Sequence, residues 1–303
     1  MVNYRSNGKL LLTGEYLVLD GTKSLALPTT YGQKLLVENN SSNTIIWKSF
    51  DENNKVWFKD EFSLDDILLS SYTSENEISQ RLIDILKSIN TLNPDFLKRK
   101  KGFNIKTTQD FNRTWGLGTS STLINNIANW ANVDAYKLLE LTFGGSGYDI
   151  ACAQNDTSIT YQLIDGKPIV TEVNFNPSFK DCIYFVYLNQ KQNSRDGITA
   201  YRNSKSDLKT SISEINRITE AFILCDSLDE FENLIIEHEH IISRAINQPP
   251  VKGRLFTDFD GAIKSLGAWG GDFVLVTSKD NPSAYFKSKG YHTILSYSQM
   301  IKA

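Results

Sequence analysis

The sequence has little cysteine and no long apolar run, and each shortage excludes a class of protein. There are only three cysteines, Cys152, Cys182 and Cys225, and their spacing is not that of metal ligands. This odd number and spacing argue against a disulfide framework or a structural zinc site, and favour a reducing compartment. No apolar run reaches the ~18 residues that span a bilayer, and the opening MVNYRSNGK lacks the apolar core of a signal peptide. We therefore expect a cytoplasmic protein with no membrane partner.

The sequence also lacks a strong excess of either charge. Its 32 basic and 35 acidic residues are mixed along the chain and give a net charge of -3, which argues against a broad nucleic-acid surface. The one basic run, from Lys98 to Lys101, is most simply a solvated turn before a strand. A chain of 303 residues with 40% apolar residues favours two domains, and Asn174 to Lys180 is the best candidate for their boundary.

Neither standard nucleotide-binding motif is present. Gly8-Lys9 and Gly166-Lys167 lack the earlier glycine of a P-loop, and Ser121 occupies the position of the third glycine in G-x-G-x-x-G. Instead, the stretch from Gly116 to Thr122 places two glycines before four hydroxyl residues and a helical apolar stripe. A glycine turn at a helix N terminus suits a polyphosphate, although a capped turn that binds nothing has the same pattern.

The spacing of apolar residues predicts a mixed α+β chain. Helices are expected at Ile78–Asn90, after the glycine turn to Ala131, at Ala135–Phe143, Leu208–Leu224 and Leu228–Ile246, and near Pro282–Lys289. Strands are expected at Lys9–Thr13, Tyr16–Leu19, Ser24–Leu27, Thr44–Trp47, Lys55–Lys59, Phe103–Thr107, Ile159–Ile164, Cys182–Leu188, Phe273–Thr277 and His292–Tyr297. Pro28 is expected to stop the third strand, and a helix to precede the glycine-rich turn Gly267–Asp272. His238 and His240 are expected to be ordinary surface or boundary residues, because their spacing cannot form a metal pair.

Three stretches in this order resemble the three motifs of the GHMP kinases. Ser6–Tyr16 resembles the first, a P-G-K strand that ends in G-E-H; Gly116–Ser121 resembles G-L-G-S-S; and Gly267–Asp272 resembles G-A-G-G-G. Within the family, Gly145–Ala151 resembles the G-S-G-x-D-[IV]-A of phosphomevalonate kinases, and Lys264–Asp272 resembles their K-x-x-G-A-G-G-G-D. The departures are Tyr16 for histidine, Asn112 for proline, Trp115 for a small residue and Trp269 for glycine.

The resemblance implies the two-domain GHMP kinase fold, with an N-terminal sheet-and-helix domain at 1–173 and a ferredoxin-like C-terminal domain at 181–303. It implies an enzyme that transfers the γ-phosphate of ATP, with Mg²⁺, to a small-molecule acceptor. The acceptor expected first is phosphomevalonate. A homodimer is also expected to be possible.

The resemblance also implies roles for particular residues. Asp149 would orient or deprotonate the acceptor hydroxyl, and Lys9 would lower its pKa and stabilise developing charge. The nucleotide would be held by Gly116, Leu117, Gly118, Thr119, Ser120 and Ser121. Mg²⁺ would be bound by Ser120 and Glu140. The acceptor would be contacted by Lys191, Ser194, Arg195, Gly270 and Gly271.

Each of these roles has an alternative. Asp149 and Lys9 could form a purely structural buried pair, and Ser120 could be only a helix cap. Glu15 is interpreted as a helper of strand geometry or of Lys9, and an ordinary edge carboxylate is the alternative. At the level of function, the alternatives are a mevalonate or sugar kinase of the same family and a non-catalytic protein that keeps the fold. A decarboxylase of this fold is disfavoured, because its characteristic motifs are not evident.

Overall fold

The computed structural model describes residues 1–69, 71–98, 101–191, 194–202 and 208–302, with the side chains of 194–196 and 200 excepted. The chain forms two compact units whose segments alternate along the sequence. The first unit contains Met1–Gly8, Tyr31–Arg113 and Leu117–Gln154; the second contains Lys9–Thr30, Thr114–Gly116 and Asn155–Ala303. Within the described ranges, no helix is long and apolar enough to cross a membrane.

The first unit combines a sheet with a layer of helices. Its strands are the first part of β1 (Val2–Leu11), the second part of β2 (Ser24–Asn39), β3 (Thr44–Phe50), β4 (Val56–Ser63) and β5 (Phe103–Gln109). Its helices are α1 (Leu64–Leu68), α2 (Glu77–Leu92), α3 (Pro94–Leu97), α4 (Thr119–Ala131), α5 (Ala135–Thr142) and α6 (Tyr148–Gln154). The predicted hairpin of β3 and β4 is present, as is the helix after the glycine turn.

The sheet of the first unit has the strand order β4-β3-β5-β2. β3 and β5 are parallel, which requires a crossover, and α1 to α3 supply it. The helices bury one apolar face against the sheet, in a core that includes Trp47, Phe62, Leu86, Ile105 and Ile127. This packing holds α4, and with it the end of the glycine turn, on a rigid support.

The second unit contains the remaining strands and helices. Its strands are β6 (Ile159–Ile164), β7 (Lys167–Glu172), β8 (Ile183–Tyr187), β9 (Ile263–Ser265), β10 (Phe273–Thr277) and β11 (Ile294–Ser296). Its helices are α7 (Ser194–Arg202), α8 (Leu208–Leu224), α9 (Leu228–Ile246), α10 (Val251–Leu255), α11 (Ser283–Ser288) and α12 (Tyr297–Met300). An antiparallel sheet of order β11-β8-β10-β9 contributes one face to a core that includes Val186, Phe256, Val274 and Phe286.

The prediction that Pro28 ends its strand is wrong. β2 continues from Ser24 to Asn39 with Pro28 inside it. Ser24–Ala26 pair with β6 and Gln33–Asn39 pair with β5, so Pro28 lies between these two ladders, and β1 also pairs with β2. Its carbonyl still accepts from the Lys302 N–H at 3.0 Å.

Two other local predictions are wrong. Tyr16–Leu19 is not a strand, because a 3₁₀ turn at Leu17–Asp20 begins directly after Tyr16 and ends at the left-handed Gly21. The element before the turn Gly267–Asp272 is the strand β9 and not a helix, and it pairs with β10 on the other side of the turn. Both segments contain buried side chains that contact distant parts of the chain, which local spacing does not reveal.

The α+β fold class is confirmed by these two units. The division at 1–173 and 181–303 stays a prediction. β2 contributes residues to both compact units, so the units do not correspond to two consecutive stretches of sequence.

Candidate active site

The glycine turn, whose Leu117 and Gly118 belong to the first unit, ends in a helix N terminus that no side chain caps. Gly118 is the N-cap residue of α4, with a left-handed φ of 91°, and no side-chain hydrogen bond caps the helix. Leu117, fully buried, anchors the turn. The first N–H groups of a 13-residue helix, together with its dipole, favour an anion at this end.

The hydroxyl groups at this helix start have different tasks. Thr119 Oγ1 accepts from Gln109 Nε2 at 3.0 Å, and Ser121 and Thr122 donate to the Gly118 carbonyl at 3.0 and 2.9 Å. The Ser120 side chain is exposed. Ser120 is therefore the hydroxyl of this group that faces the solvent and can meet a ligand.

A buried polar network fixes α4 from beneath. Asn125 Nδ2 donates to Ser6 Oγ at 2.9 Å, and Ser6 Oγ donates to Asn126 Oδ1 at 2.8 Å. Asn126 Nδ2 and Thr122 Oγ1 donate to the backbone carbonyl and the side-chain oxygen of Gln33, at 2.9 and 2.8 Å. A satisfied network of this kind fixes the rotation of a helix more specifically than apolar packing alone, so it sets the direction of the helix N terminus.

Asp149 and Glu140 lie on two helices that pack against α4. Asp149 is the second residue of α6, after a turn in which Gly144, Gly145 and Gly147 all have positive φ. Its side chain is half-buried, whereas the Glu140 side chain on α5 is exposed. The metal role of Glu140 and the catalytic role of Asp149 stay predictions.

In the second unit, the third motif forms a turn in the left-handed conformation. Gly267 and Gly270 have φ of 61° and 89°, and the non-glycine residues Trp269 and Asp272 have φ of 44° and 53°. Asp272 is fixed by hydrogen bonds from its N–H to the Gln190 carbonyl and from the Leu188 N–H to its own carbonyl, at 2.6 and 2.8 Å. Of the two glycines predicted to contact the acceptor, Gly270 is half-buried and Gly271 is buried.

The Asp272 carboxylate lies directly against Gly116. A Cβ added to Gly116 would come within 2.3 Å of Asp272 Oδ2, and Gly116 itself has φ of 68°. Trp115, the residue before it, packs edge-on against Phe273 at 5.5 Å and near Tyr187 at 6.5 Å. The first glycine of the second motif and the last residue of the third are thus in contact.

The first motif is tied to the third by a buried ion pair. Glu15, predicted as a helper of strand geometry or of Lys9, or as an edge carboxylate, is instead fully buried and paired with the buried Lys264. Lys264 Nζ also donates to the Ser265 carbonyl at 2.9 Å. Burial raises the pKa of Glu15, and the Lys264 charge opposes that rise. Lys9, in the β1 part of the same motif, is half-buried, and its catalytic role stays a prediction.

Two further ionisable residues on α9 complete the buried cluster. His238 is fully buried, so its prediction as a surface or boundary residue is wrong, whereas His240 is exposed. The Gly14 N–H donates to His238 Nε2 at 3.0 Å, so this nitrogen is unprotonated and does not form an ion pair with Glu15 Oε2 at 3.3 Å. Burial, helped by the Lys264 charge, lowers the pKa of His238 well below its ordinary value, and the ring is neutral.

Glu239 supplies a second carboxyl group close to Lys264. Its Oε1 lies 4.0 Å from Lys264 Nζ, and its Oε2 accepts from Ser265 Oγ at 2.9 Å. Burial raises the pKa of Glu239 to about 8, against the opposing Lys264 charge. Glu239 therefore keeps most of its proton at pH 7, and Glu15 is the carboxyl group that lies nearer to Lys264 Nζ.

Lys191, Ser194 and Arg195 are the side chains predicted to contact the acceptor, and the structure describes only the first of them. Lys191 is exposed. Ser194 and Arg195 begin the helix α7, but their side chains lie outside those that the structure describes. Their contact with an acceptor stays a prediction.

No protein-family model and no curated protein matches the chain. Solved structures do match it over nearly their whole length. Methanococcus jannaschii mevalonate kinase aligns with a TM-score of 0.75 at 16% identity, over 100% of this chain and 98% of its own. Streptococcus pneumoniae phosphomevalonate kinase, solved with phosphomevalonate and AMPPNP, aligns with a TM-score of 0.68 at 15% identity, over 95% of each chain. Lactococcus lactis galactokinase, solved with galactose, aligns with a TM-score of 0.67 at 14% identity, over 99% of this chain and 95% of its own. The chain therefore has the fold of the GHMP kinases, as the three motifs predict.

Proposed function

We propose that this protein is an ATP-dependent kinase of small molecules. The observation that carries the proposal is the uncapped N terminus of α4, which follows two glycines in left-handed conformation. A helix end of this kind suits the phosphates of a nucleotide. The mevalonate, phosphomevalonate and sugar kinases that share the fold support phosphoryl transfer as the reaction.

The residues at the helix start fit a nucleotide with Mg²⁺. The exposed Ser120 hydroxyl is a hard oxygen ligand, and Mg²⁺ is commonly held by one or two protein oxygens together with substrate phosphates. In the described part of the chain, no three His, Cys, Asp or Glu side chains form a metal cage, which agrees with that mode. We assign Ser120, with Glu140 as second candidate, to the ion, which when bound would neutralise charge on the transferring phosphoryl group.

The protein's own groups would position the acceptor and the charge. In our proposal, Asp149 orients the attacking oxygen of the acceptor and takes its proton where that oxygen belongs to a hydroxyl group, and Lys9 stabilises the negative charge that develops. The backbone N–H groups from Thr119 to Ser121 hold the phosphates. The third-motif residues Gly270 and Gly271 contact the acceptor.

We propose phosphomevalonate as the acceptor. Support comes from the aspartate at the end of Lys264–Asp272, and from the cations Lys191 and Arg195, which would form charge-assisted hydrogen bonds to an acceptor phosphate. A mevalonate or sugar kinase is the alternative within the family.

We also propose that the protein is cytoplasmic and can form a homodimer. Light scattering after size exclusion would test the homodimer.

The test is a coupled ADP-release assay with mevalonate, phosphomevalonate and galactose. We expect phosphomevalonate to be turned over fastest, and Asp149→Asn to lower kcat by about two to four orders of magnitude with ATP affinity unchanged. Arg195→Ala should cost about thirty- to hundredfold in kcat/KM for phosphomevalonate and little for mevalonate. An equal loss for both acceptors, or a faster reaction with mevalonate or galactose, would reject phosphomevalonate and leave the kinase assignment in place.

A non-catalytic protein of the same fold is the second candidate. The observation that favours it is the buried Trp269 in the third-motif turn, where the family has glycine. Calorimetric binding of ATP without turnover of any acceptor in the assay would select this candidate.

A further inference from the structure

We propose that Tyr16, which replaces the histidine of the first motif, is the positioning residue that docks the third-motif turn and helix α7, and thereby sets the affinity for the acceptor. The effect on the acceptor rests on the proposed kinase function. The docking itself is a property of the second unit and is tested separately.

The backbone of Tyr16 is held in an unfavourable conformation. Its φ of 64° and ψ of -46° lie outside the regions that a residue with a side chain normally adopts. Such a conformation costs on the order of 1–3 kcal/mol and persists only where the surroundings enforce it. The neighbours on its N-terminal side provide that enforcement, since the Gly14 N–H is bonded to His238 and Glu15 is paired with Lys264.

The Tyr16 side chain ends at the third-motif turn. It is 7% exposed, and its hydroxyl donates to the Ala268 carbonyl at 2.9 Å. Burial, with the Glu15 and Asp272 charges, raises its pKa to about 12, so the hydroxyl remains a donor over the physiological range. This bond satisfies a buried carbonyl in the middle of the turn Gly267–Asp272.

The same side chain also contacts one face of α7. The Tyr16 and Tyr201 rings lie 5.7 Å apart and are inclined by 31°. A Cβ added to Gly197 would come within 2.2 Å of the Tyr16 hydroxyl oxygen. Gly197 and Tyr201 are four residues apart on the helix, so they share a face, and Tyr201 fixes that face further by donating to Asp20 at 2.6 Å.

Tyr16 therefore touches both elements to which the acceptor contacts are assigned. The turn carries Gly270 and Gly271, and α7 begins with Ser194 and Arg195. Its described hydrogen bond and ring contact go to Ala268 and Tyr201, and the glycine turn before α4, to which the nucleotide phosphates are assigned, lies one step further away, where Gly116 meets Asp272. We expect a change at Tyr16 to alter acceptor binding and to leave ATP binding in place.

The experiment compares Tyr16→Phe with Tyr297→Phe. Tyr297 is a matched control, because its buried hydroxyl also donates to a backbone carbonyl, that of Phe175, at 2.9 Å in the same unit. Both variants keep the ring and lose one buried hydrogen bond, so we expect similar losses of thermal stability. Only Tyr16→Phe should raise the acceptor KM, by about five- to tenfold, with the ATP KM within about twofold of wild type.

Hydrogen exchange on the ligand-free protein provides the readout that needs no substrate. Tyr16→Phe should speed exchange about five- to tenfold in peptides covering 264–273 and leave α7 protected by the ring contact, whereas Gly197→Ala should speed exchange in both segments. Unchanged exchange in Tyr16→Phe, or equal acceptor KM changes in the two phenylalanine variants, would overturn the proposal. If no acceptor is turned over by the wild type, the kinase function fails, and the exchange pattern alone decides the docking role.

Discussion

Replacing Glu239 with glutamine should stabilise the protein, by an amount that grows between about pH 5 and pH 8. Glu239 is 3% exposed and keeps its proton at neutral pH, because burial raises its pKa from 4.5 to about 8. In the unfolded chain the same carboxyl group ionises near its ordinary pKa. Folding at pH 7 therefore has to retain a proton that the unfolded chain releases.

The sign of the effect follows from proton linkage. A carboxyl group whose pKa is raised by folding contributes its full stability below the unfolded pKa, and that contribution is lost as the pH rises through the folded pKa. One pKa unit corresponds to about 1.4 kcal/mol, so the loss reaches about 3 kcal/mol at pH 7 and about 5 kcal/mol above pH 8. Glutamine resembles the protonated acid in shape and can keep the contact with Ser265, so it escapes this loss.

The neighbouring charges affect the absolute stability but not the direction of this difference. Lys264 Nζ, at 4.0 Å, favours the ionised acid, whereas Glu15, the partner of Lys264, disfavours it. The adjacent His238 acts in the opposite direction with pH, because its lowered pKa removes stability as the pH falls below its ordinary value. Subtracting the wild-type curve from that of Glu239→Gln leaves mainly the contribution of Glu239.

The assay is urea unfolding at several pH values between 5 and 9, followed by tryptophan fluorescence. Glu237→Gln is the control, because it removes one carboxylate from the exposed face of the same helix, where the side chain pairs with Arg217. It should change stability by less than about 1 kcal/mol. A Glu239→Gln variant that is destabilised equally at every pH would refute the reasoning, since Glu239 would then be an ionised partner of Lys264.

Two further predictions concern the glycine turn and the helix that follows it. Ser120→Ala should weaken ATP binding more with Mg²⁺ than without it, because the lost group is an oxygen ligand; equal losses in calorimetric titrations would make Ser120 only part of the helix start. Gly116→Ala should unfold at clearly lower urea than Gly144→Ala, although the two glycines have φ of 68° and 67°. The added Cβ would meet nothing within 4 Å at Gly144, whereas at Gly116 it would meet the Asp272 carboxylate. Gly144→Ala therefore measures only the cost of a left-handed backbone, about 1–2 kcal/mol. Equal urea midpoints for the two variants would contradict the contact between Gly116 and Asp272.

Elements with a strong local pattern are predictable from the sequence. The spacing of apolar residues predicts α8 and α9 with the bounds that the structure has, Leu208–Leu224 and Leu228–Ile246. Ser227 caps α9 by accepting from the Glu230 N–H, which fixes its start. β10, which is apolar except for Thr277, is likewise predicted from Phe273 to Thr277. In these segments the local preference and the tertiary packing agree.

Elements whose conformation is set by distant partners are not predictable in this way. β2 passes through Pro28 because two different ladders use its two ends. β7 is absent from the predictions because its residues are nearly all exposed and show no apolar alternation, and the pairing with β6 produces the strand. At Pro28 and in β7 the local strand propensity is low, but pairing with strands that are distant in sequence outweighs it.

The candidate site also has a part that the local sequence determines and a part that depends on distant residues. The second motif is local in sequence, so the glycine turn and the helix it opens are predicted from spacing and are observed. The buried cluster joins Glu15 to Lys264, residues 249 positions apart, and adds His238, whose burial the sequence does signal, because it falls on the apolar stripe of α9 between Ile235 and Ile241. Burial of ionisable groups depends on which elements pack together, and one sequence carries no signal for such pairs.

The tryptophans in the two glycine turns, Trp115 and Trp269, are the main argument against activity, and their geometry weakens that argument. Trp269 stands where the family has glycine, yet it adopts the positive φ that the turn requires and is 1% exposed. Its left-handed backbone costs about 1–2 kcal/mol, which the burial of so large a side chain exceeds. Trp115 is accommodated on Phe273, and Tyr16 donates to the turn itself. The turn therefore keeps the left-handed backbone that glycines favour, and the substitutions change the side chains around it.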